Sequence, residues 1–213
     1  MGTFALMIEE QSLETQIIAN ATELFLTKGF KSVTMDDLAS NMGMSKKTIY
    51  TFFKTKNELI NKVSNNLFHT ISTGIDHICS LNYNPIQELF TINDFVQKHL
   101  KNENSSPLYQ LQKYYSKTHE KLIRKQFEIA HKCITENLQQ GINAEIYRKE
   151  IDTDFISRLY FLTITGIKNE ELFPKDKFPV NNKTITYIDY HIHGIATPKG
   201  LEILKTIQQN RKK

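Results

Sequence analysis

An all-α fold, with a three-helix N-terminal domain ahead of a larger helical domain, is what this sequence predicts. Three observations predict it. Apolar residues recur at intervals of three and four through almost the whole chain. Start and stop signals (a cap residue, a proline at the first helical position, a glycine past the last) punctuate that pattern at helical lengths. Runs of β-type residues are scarce, and Thr184 to Ile188 is the one serious strand candidate.

In chain order, Ile17, Ile18, Ala21, Leu24 and Phe25 form the first apolar face, which stops at Lys28-Gly29. Glycine tolerates the left-handed conformation that ends a helix, and Lys28 suits the negative end of the dipole. Thr34 then caps a short helix with Asp36 and Asp37 in its first turn, broken at Asn41-Met42-Gly43. Ser45 caps a third, equally short helix. Thr55 to Glu58 reads as a capping box opening a long helix with Ile60, Val63, Leu67, Ile71, Ile75 and Ile78 on one face. Asn84-Pro85 and Ser106-Pro107 start two more. A stretch from about Lys117 to Gln140 is expected to end at Gly141, and Asp152 or Thr153 to begin the next helix. Residues 169–182, with Pro174 and Pro179, read as a loop; helix resumes near Lys183 and again after Thr197-Pro198. That makes nine or ten helices, with Arg211-Lys212-Lys213 expected as a frayed, solvated end.

Composition excludes several classes. The chain of 213 residues can bury a sizeable core, and 39% hydrophobic with 23% charged residues is ordinary for a globular protein. The apolar run from Phe4 to Ile8 is too short for a signal or a membrane span, so the expected location is the cytoplasm, with no membrane partner. Cys79 and Cys133 lie more than fifty residues apart, which predicts free thiols and neither a disulfide framework nor a zinc knuckle. No catalytic constellation, phosphate loop, cofactor or metal set is found. His191 and His193 would diverge on a helix, and His69, His77, His99, His119 and His131 are scattered. Enzyme activity is not expected.

The net charge of +4 is modest, but it is concentrated. Residues 1–60 hold six lysines against seven acids, whereas residues 45–62 hold five lysines (46, 47, 54, 56, 62) against Glu58 alone. A phosphate-contacting surface needs such a focus. Within residues 33–53, two short helices joined by a glycine-containing turn, the second one basic, satisfy the needs of a helix-turn-helix. Leu38, Ala39 and Ile49 would pack inward; Lys46, Lys47, Thr48, Tyr50 and Thr51 would point largely outward. The same spacing also suits a plain three-helix core with Lys46 and Lys47 as solvated surface.

Residues 25–60, FLTKGFKSVTMDDLASNMGMSKKTIYTFFKTKNELI, resemble the N-terminal DNA-binding domain of the TetR family of regulators. Phe25, Gly29-Phe30, Thr34, Asp37-Leu38-Ala39, Gly43, Ser45, Ile49-Tyr50, Phe52-Phe53, Lys56 and Glu58-Leu59 carry the likeness. The resemblance implies a DNA-binding domain over residues 11–60 and a helical effector-binding and dimerisation domain over residues 61–213. It implies that Thr34 bonds a phosphate, that Ser45, Lys46, Lys47, Thr48 and Thr51 stand on the recognition helix, and that Tyr50 and Lys56 clamp phosphates. Phe53 is expected in the core; Phe52 fits either role. Lys47 departs from the small residue common at its position. No arginine precedes Arg124, so the bidentate guanine contact is missing, and an operator read by shape and thymine methyls is expected.

For the remainder, the resemblance implies an effector pocket, for which Phe90, Phe95, Tyr109, Tyr114, Phe127 and His131 are candidate lining residues. Aromatics at this spacing equally suit plain core. A two-fold dimer would set two recognition helices one DNA turn apart. Leu159, Leu162, Thr163, Gly166, Ile188, Ile192 and Ile195 are candidates for its interface, or else for the monomer's core. The expected partners are thus double-stranded operator DNA, a second copy of the chain and a small apolar or aromatic effector. Rotation of the long helix from Lys56 would couple the effector to DNA release. A dimeric DNA binder without an effector, and an interaction module on the same fold, are the rival readings.

Overall fold

The computed structural model describes residues 2–100, 107–169, 171–174, 176–178 and 180–211, and the side chains of a subset beginning at Ser12. The described residues form ten helices: α1 (Gly2–Lys28), α2 (Met35–Asn41), α3 (Lys46–Phe52), α4 (Lys56–Ser80), α5 (Pro85–His99), α6 (Pro107–Tyr114), α7 (Ser116–Asn143), α8 (Thr153–Gly166), α9 (Val180–Ile195) and α10 (Pro198–Arg211). The all-α expectation holds. The strand candidate at Thr184 lies inside α9, which begins three residues before the anticipated Lys183. No helix among the described residues is long and apolar enough to cross a membrane.

Contacts divide the chain into two compact units that are not contiguous in sequence: Met1–Thr70 with Glu103–Leu122, and Ile71–Asn102 with Ile123–Lys213. In the first unit, Ile17, Ala21, Phe25, Phe30, Leu38, Ile49, Phe53, Leu59 and Ile60 form one buried cluster, completed by Leu111 and Leu122. Phe25 and Phe30 stack at 5.0 Å across the turn at Gly29, whose φ of +91° is one a side chain would oppose. Tyr109 and Tyr114 belong to this unit. Phe90, Phe95, Phe127 and His131, the other four candidate lining residues, belong to the second. The cap expected at Ser106 lies outside the described residues.

The second unit is built on Ile86, Leu89, Phe90, Leu138, Tyr147, Ile188, Ile192, Ile195 and Leu204. Ile188, Ile192 and Ile195, read from sequence as dimer-seam candidates, are only 0%, 0% and 3% exposed. They face their own chain's helices and offer no surface to a partner. Arg211 is also placed differently from the expected frayed end: it lies in α10, and its guanidinium forks onto Asp94, with Nη1 2.6 Å and Nη2 2.8 Å from the carboxylate oxygens. Lys212 and Lys213 lie outside the described residues.

Gly141 also departs from expectation. It does not end α7, which continues to Asn143; Glu145, at φ +57°, reverses the chain instead. The glycine is required by packing, since a Cβ there would sit 2.0 Å from Cδ2 of the buried Tyr147 ring. Gly141→Ala is expected to destabilise the protein by about 1–3 kcal/mol, overpacking outweighing the gain in helix propensity. A urea midpoint equal to or above that of the parent chain would overturn this account of the glycine.

Candidate nucleic-acid interface

Local chemistry fixes α2. The Thr34 hydroxyl accepts from the Asp37 backbone N–H at 3.1 Å, and the Thr34 N–H donates to Asp37 Oδ2 at 2.8 Å, closing a reciprocal capping box. The Thr34 hydroxyl also donates to that oxygen. These bonds, the backbone one foremost, hold the Asp37 carboxyl below its ordinary range. Thr34 is thus committed to its own helix, with its side chain still on the surface.

The turn into α3 passes through Gly43 at φ +63°, after which Ser45 caps the helix by accepting from the Thr48 N–H at 3.1 Å. The Ser45 and Thr48 hydroxyls also meet at 2.8 Å. Over its seven residues α3 has two distinct faces. Ile49 is wholly buried, while Lys46, Lys47, Tyr50 and Thr51 are exposed and Thr48 is half-buried. Phe53 is core, as expected, and Phe52 packs half-buried against the same cluster. No acid lies in the first turn of α3.

The basic side chains of this surface are not equivalent. Lys46 forms an ion pair with Asp36 at 2.8 Å, which holds its ammonium above the ordinary lysine value, and it stands 5.9 Å from the Tyr50 ring centre. Lys47 is exposed and has no partner among the described residues. Lys56 donates to the Lys31 carbonyl at 3.0 Å, tying the start of α4 to the turn after α1, and burial lowers its pKa. The expected capping box at α4 is half formed: Thr55 accepts from the Glu58 N–H, but Glu58 reaches back to the Lys54 N–H.

Sequence reasoning missed Asp36 and the Lys31 carbonyl. Asp36 is ten residues from its partner, and a backbone acceptor leaves no trace in residue identity. The eight predicted DNA-contact residues all belong to the first unit; the exposed ones lie on α3, at its cap and at the cap of α2, while Lys56 at the start of α4 is half-buried. Such an arrangement presents lysines, hydroxyls and one tyrosine around a helix narrow enough for a major groove.

Comparison with known proteins agrees with this geometry. Residues 17–63 match the family model described as bacterial regulatory proteins, tetR family. The chain is 33% identical over 87 residues to the HTH-type transcriptional regulator YhgD of Bacillus subtilis, a match covering 39% of this chain and 46% of that protein. It is 24% identical over 190 residues to YvaF of the same organism, also an HTH-type regulator, covering 86% of this chain and 96% of the relative. Among solved structures, a transcriptional regulator from Saccharomonospora viridis in complex with choline superposes with a TM-score of 0.71 at 15% identity, covering 88% of this chain and 99% of that one. A TetR-family regulator from Cytophaga hutchinsonii gives 0.67 at 18%, covering 88% and 96%. At these identities the structural likeness is one of fold.

Proposed function

This chain carries the N-terminal DNA-binding domain of the TetR family of bacterial regulators, and from that premise we propose that it is a transcriptional repressor that grips a palindromic operator as a homodimer. The observation that carries the reading is the division of α3, with Ile49 fully buried and Lys46, Lys47, Tyr50 and Thr51 exposed. Ile49 seats the helix; the outward side chains meet phosphates and base edges. Working on DNA makes the cytoplasm its compartment.

An apolar surface on the second unit supports the homodimer. Phe155 and Leu162 on α8 are 60% and 68% exposed, with Leu159 between them, and Tyr190 on α9 is 77% exposed. Residues 155, 159 and 162 share one stripe of a helix. A Cβ added at Gly166 or Gly194 would meet nothing within 4 Å, so both leave room for a neighbouring helix. Thr163 on α8 is half-buried, its hydroxyl donating back to the Leu159 carbonyl.

The interior of the second unit supports release by a small apolar or aromatic effector. Tyr160, Tyr187 and His191 lie ring to ring within 5.1–5.8 Å, and the buried Nε2 of His191 has no hydrogen-bond partner among the described residues. A ligand bearing an apolar body and one polar group would satisfy that nitrogen. The Saccharomonospora viridis regulator, solved with choline, is a fold relative that holds a small molecule. The effector would act by favouring the conformer that binds DNA less well.

The test is selection of purified protein against random duplex DNA at physiological salt. The parent chain is expected to recover a two-fold palindrome. Lys47→Ala with Tyr50→Ala is expected to lose that enrichment and to flatten the dependence of log Kd on log salt by about one unit per phosphate contact removed. Equal, motif-free binding by both proteins would remove the operator reading and favour an interaction module.

A further inference from the structure

The two cysteines stand 54 residues apart in sequence, yet their Sγ atoms approach to 3.2 Å, Cys79 from the last turn of α4 and Cys133 from the middle of α7. Glu88, from the first turns of α5, brings a carboxylate oxygen to the same point: the three donor atoms lie within 4.8 Å of one another. We propose that Cys79, Glu88 and Cys133 form a binding site for a thiophilic divalent cation of the zinc type. The proposal stands apart from the DNA-binding reading and depends on no step of it.

Glu88 decides the matter. It is 3% exposed, and no cationic side chain pairs with it among the described residues. A buried carboxylate without a counter-charge is costly unless it takes up a proton, and coordination of a metal is an arrangement that lets it keep its charge. Its orientation is fixed from outside in the manner of a metal ligand. Asn137, 1% exposed, donates from Nδ2 to Glu88 Oε1 at 2.7 Å and to the Pro85 carbonyl at 2.9 Å. The Tyr147 hydroxyl in turn donates to Asn137 Oδ1 at 3.3 Å. Such outer partners set the direction and basicity of ligating groups.

Two thiolates and a carboxylate cannot share this space as anions without a cation. A divalent ion supplies it, and both thiol protons leave on binding. Zinc–sulfur bonds of about 2.3 Å in tetrahedral geometry separate two sulfurs by roughly 3.8 Å, so each Sγ need move only a few tenths of an ångström from its present place. A Cys79–Cys133 disulfide would use the same sulfurs but leave the buried carboxylate unexplained.

The experiment uses the full chain, reduced and freed of metal, titrated with cobalt(II). One equivalent is expected to produce intense thiolate-to-cobalt charge-transfer absorption with the visible bands of a tetrahedral ion, displaced by zinc(II). Cys79→Ser and Cys133→Ser should each abolish the two-thiolate spectrum. Glu88→Gln should keep the sulfur absorption and weaken cobalt binding by about tenfold or more. Should Cys133→Ser fail to fold, Cys79→Ser, at a half-buried position near a helix end, carries the test by itself. Absence of the charge-transfer band at one equivalent overturns the proposal, and so does its persistence in Cys79→Ser. Ready disulfide formation in air, with no metal uptake after reduction, overturns it as well.

Discussion

Phe155→Asp combined with Leu162→Asp is expected to convert a dimer into folded monomers and to remove specific operator binding. Both side chains are more than half exposed in the single chain, so the change costs the monomer little. In a homodimer buried against a second copy, the two substitutions would bury four carboxylates without partners, far more than a seam of this kind can offset. Sedimentation at micromolar concentration should then report the monomer mass, with an unchanged far-ultraviolet spectrum. Each released monomer still carries a complete α3 but reads one half-site, so affinity for the palindrome should fall by on the order of a thousandfold, toward the non-specific level. A variant that stays dimeric would move the homodimer interface away from α8.

The second large effect is on stability and concerns His191. The ring is 8% exposed, edge-on to Tyr160 at 5.1 Å, and burial pushes its pKa down to about 4. In the unfolded chain it titrates near 6.5. Between those values the unfolded state holds a proton that the folded state refuses, so stability is retained at neutral pH and lost as the pH falls from about 6.5 to 4. The loss from this one group is on the order of 3 kcal/mol. His191→Phe keeps an aromatic ring and removes the titration. Urea unfolding at pH 7, 5.5 and 4.5 should show a shallower pH dependence for the variant, whereas parallel curves would exclude His191 as the source.

The elements that were legible in the sequence are those whose causes are local. Thr34, Ser45 and Asn84 cap their helices because a side-chain oxygen three residues from a backbone N–H is a property of neighbours, and each bond is present. The inward and outward residues of α3 followed from helical geometry alone. What escaped is set by tertiary structure. Gly141 resembles a helix stop, and only the Tyr147 ring across from it gives the glycine its reason. Ile188, Ile192 and Ile195 form an apolar stripe, and a stripe does not say whether it faces its own chain or another. Tyr109 and Tyr114 sit mid-sequence yet cluster with the N-terminal helices, a return of the chain that no periodicity signals. The meeting of Cys79 with Cys133 is of the same kind.

The pairing of Lys46 with Asp36 has a consequence for how a genome is searched. A lysine already neutralised by a carboxylate must exchange one anion for another when it meets a phosphate, so it contributes less to attraction toward random duplex than a bare ammonium would. Contacts to base edges are untouched by that exchange. On the proposed reading of α3, non-cognate sites would therefore be held more briefly, and a scan along them would proceed with shorter stops.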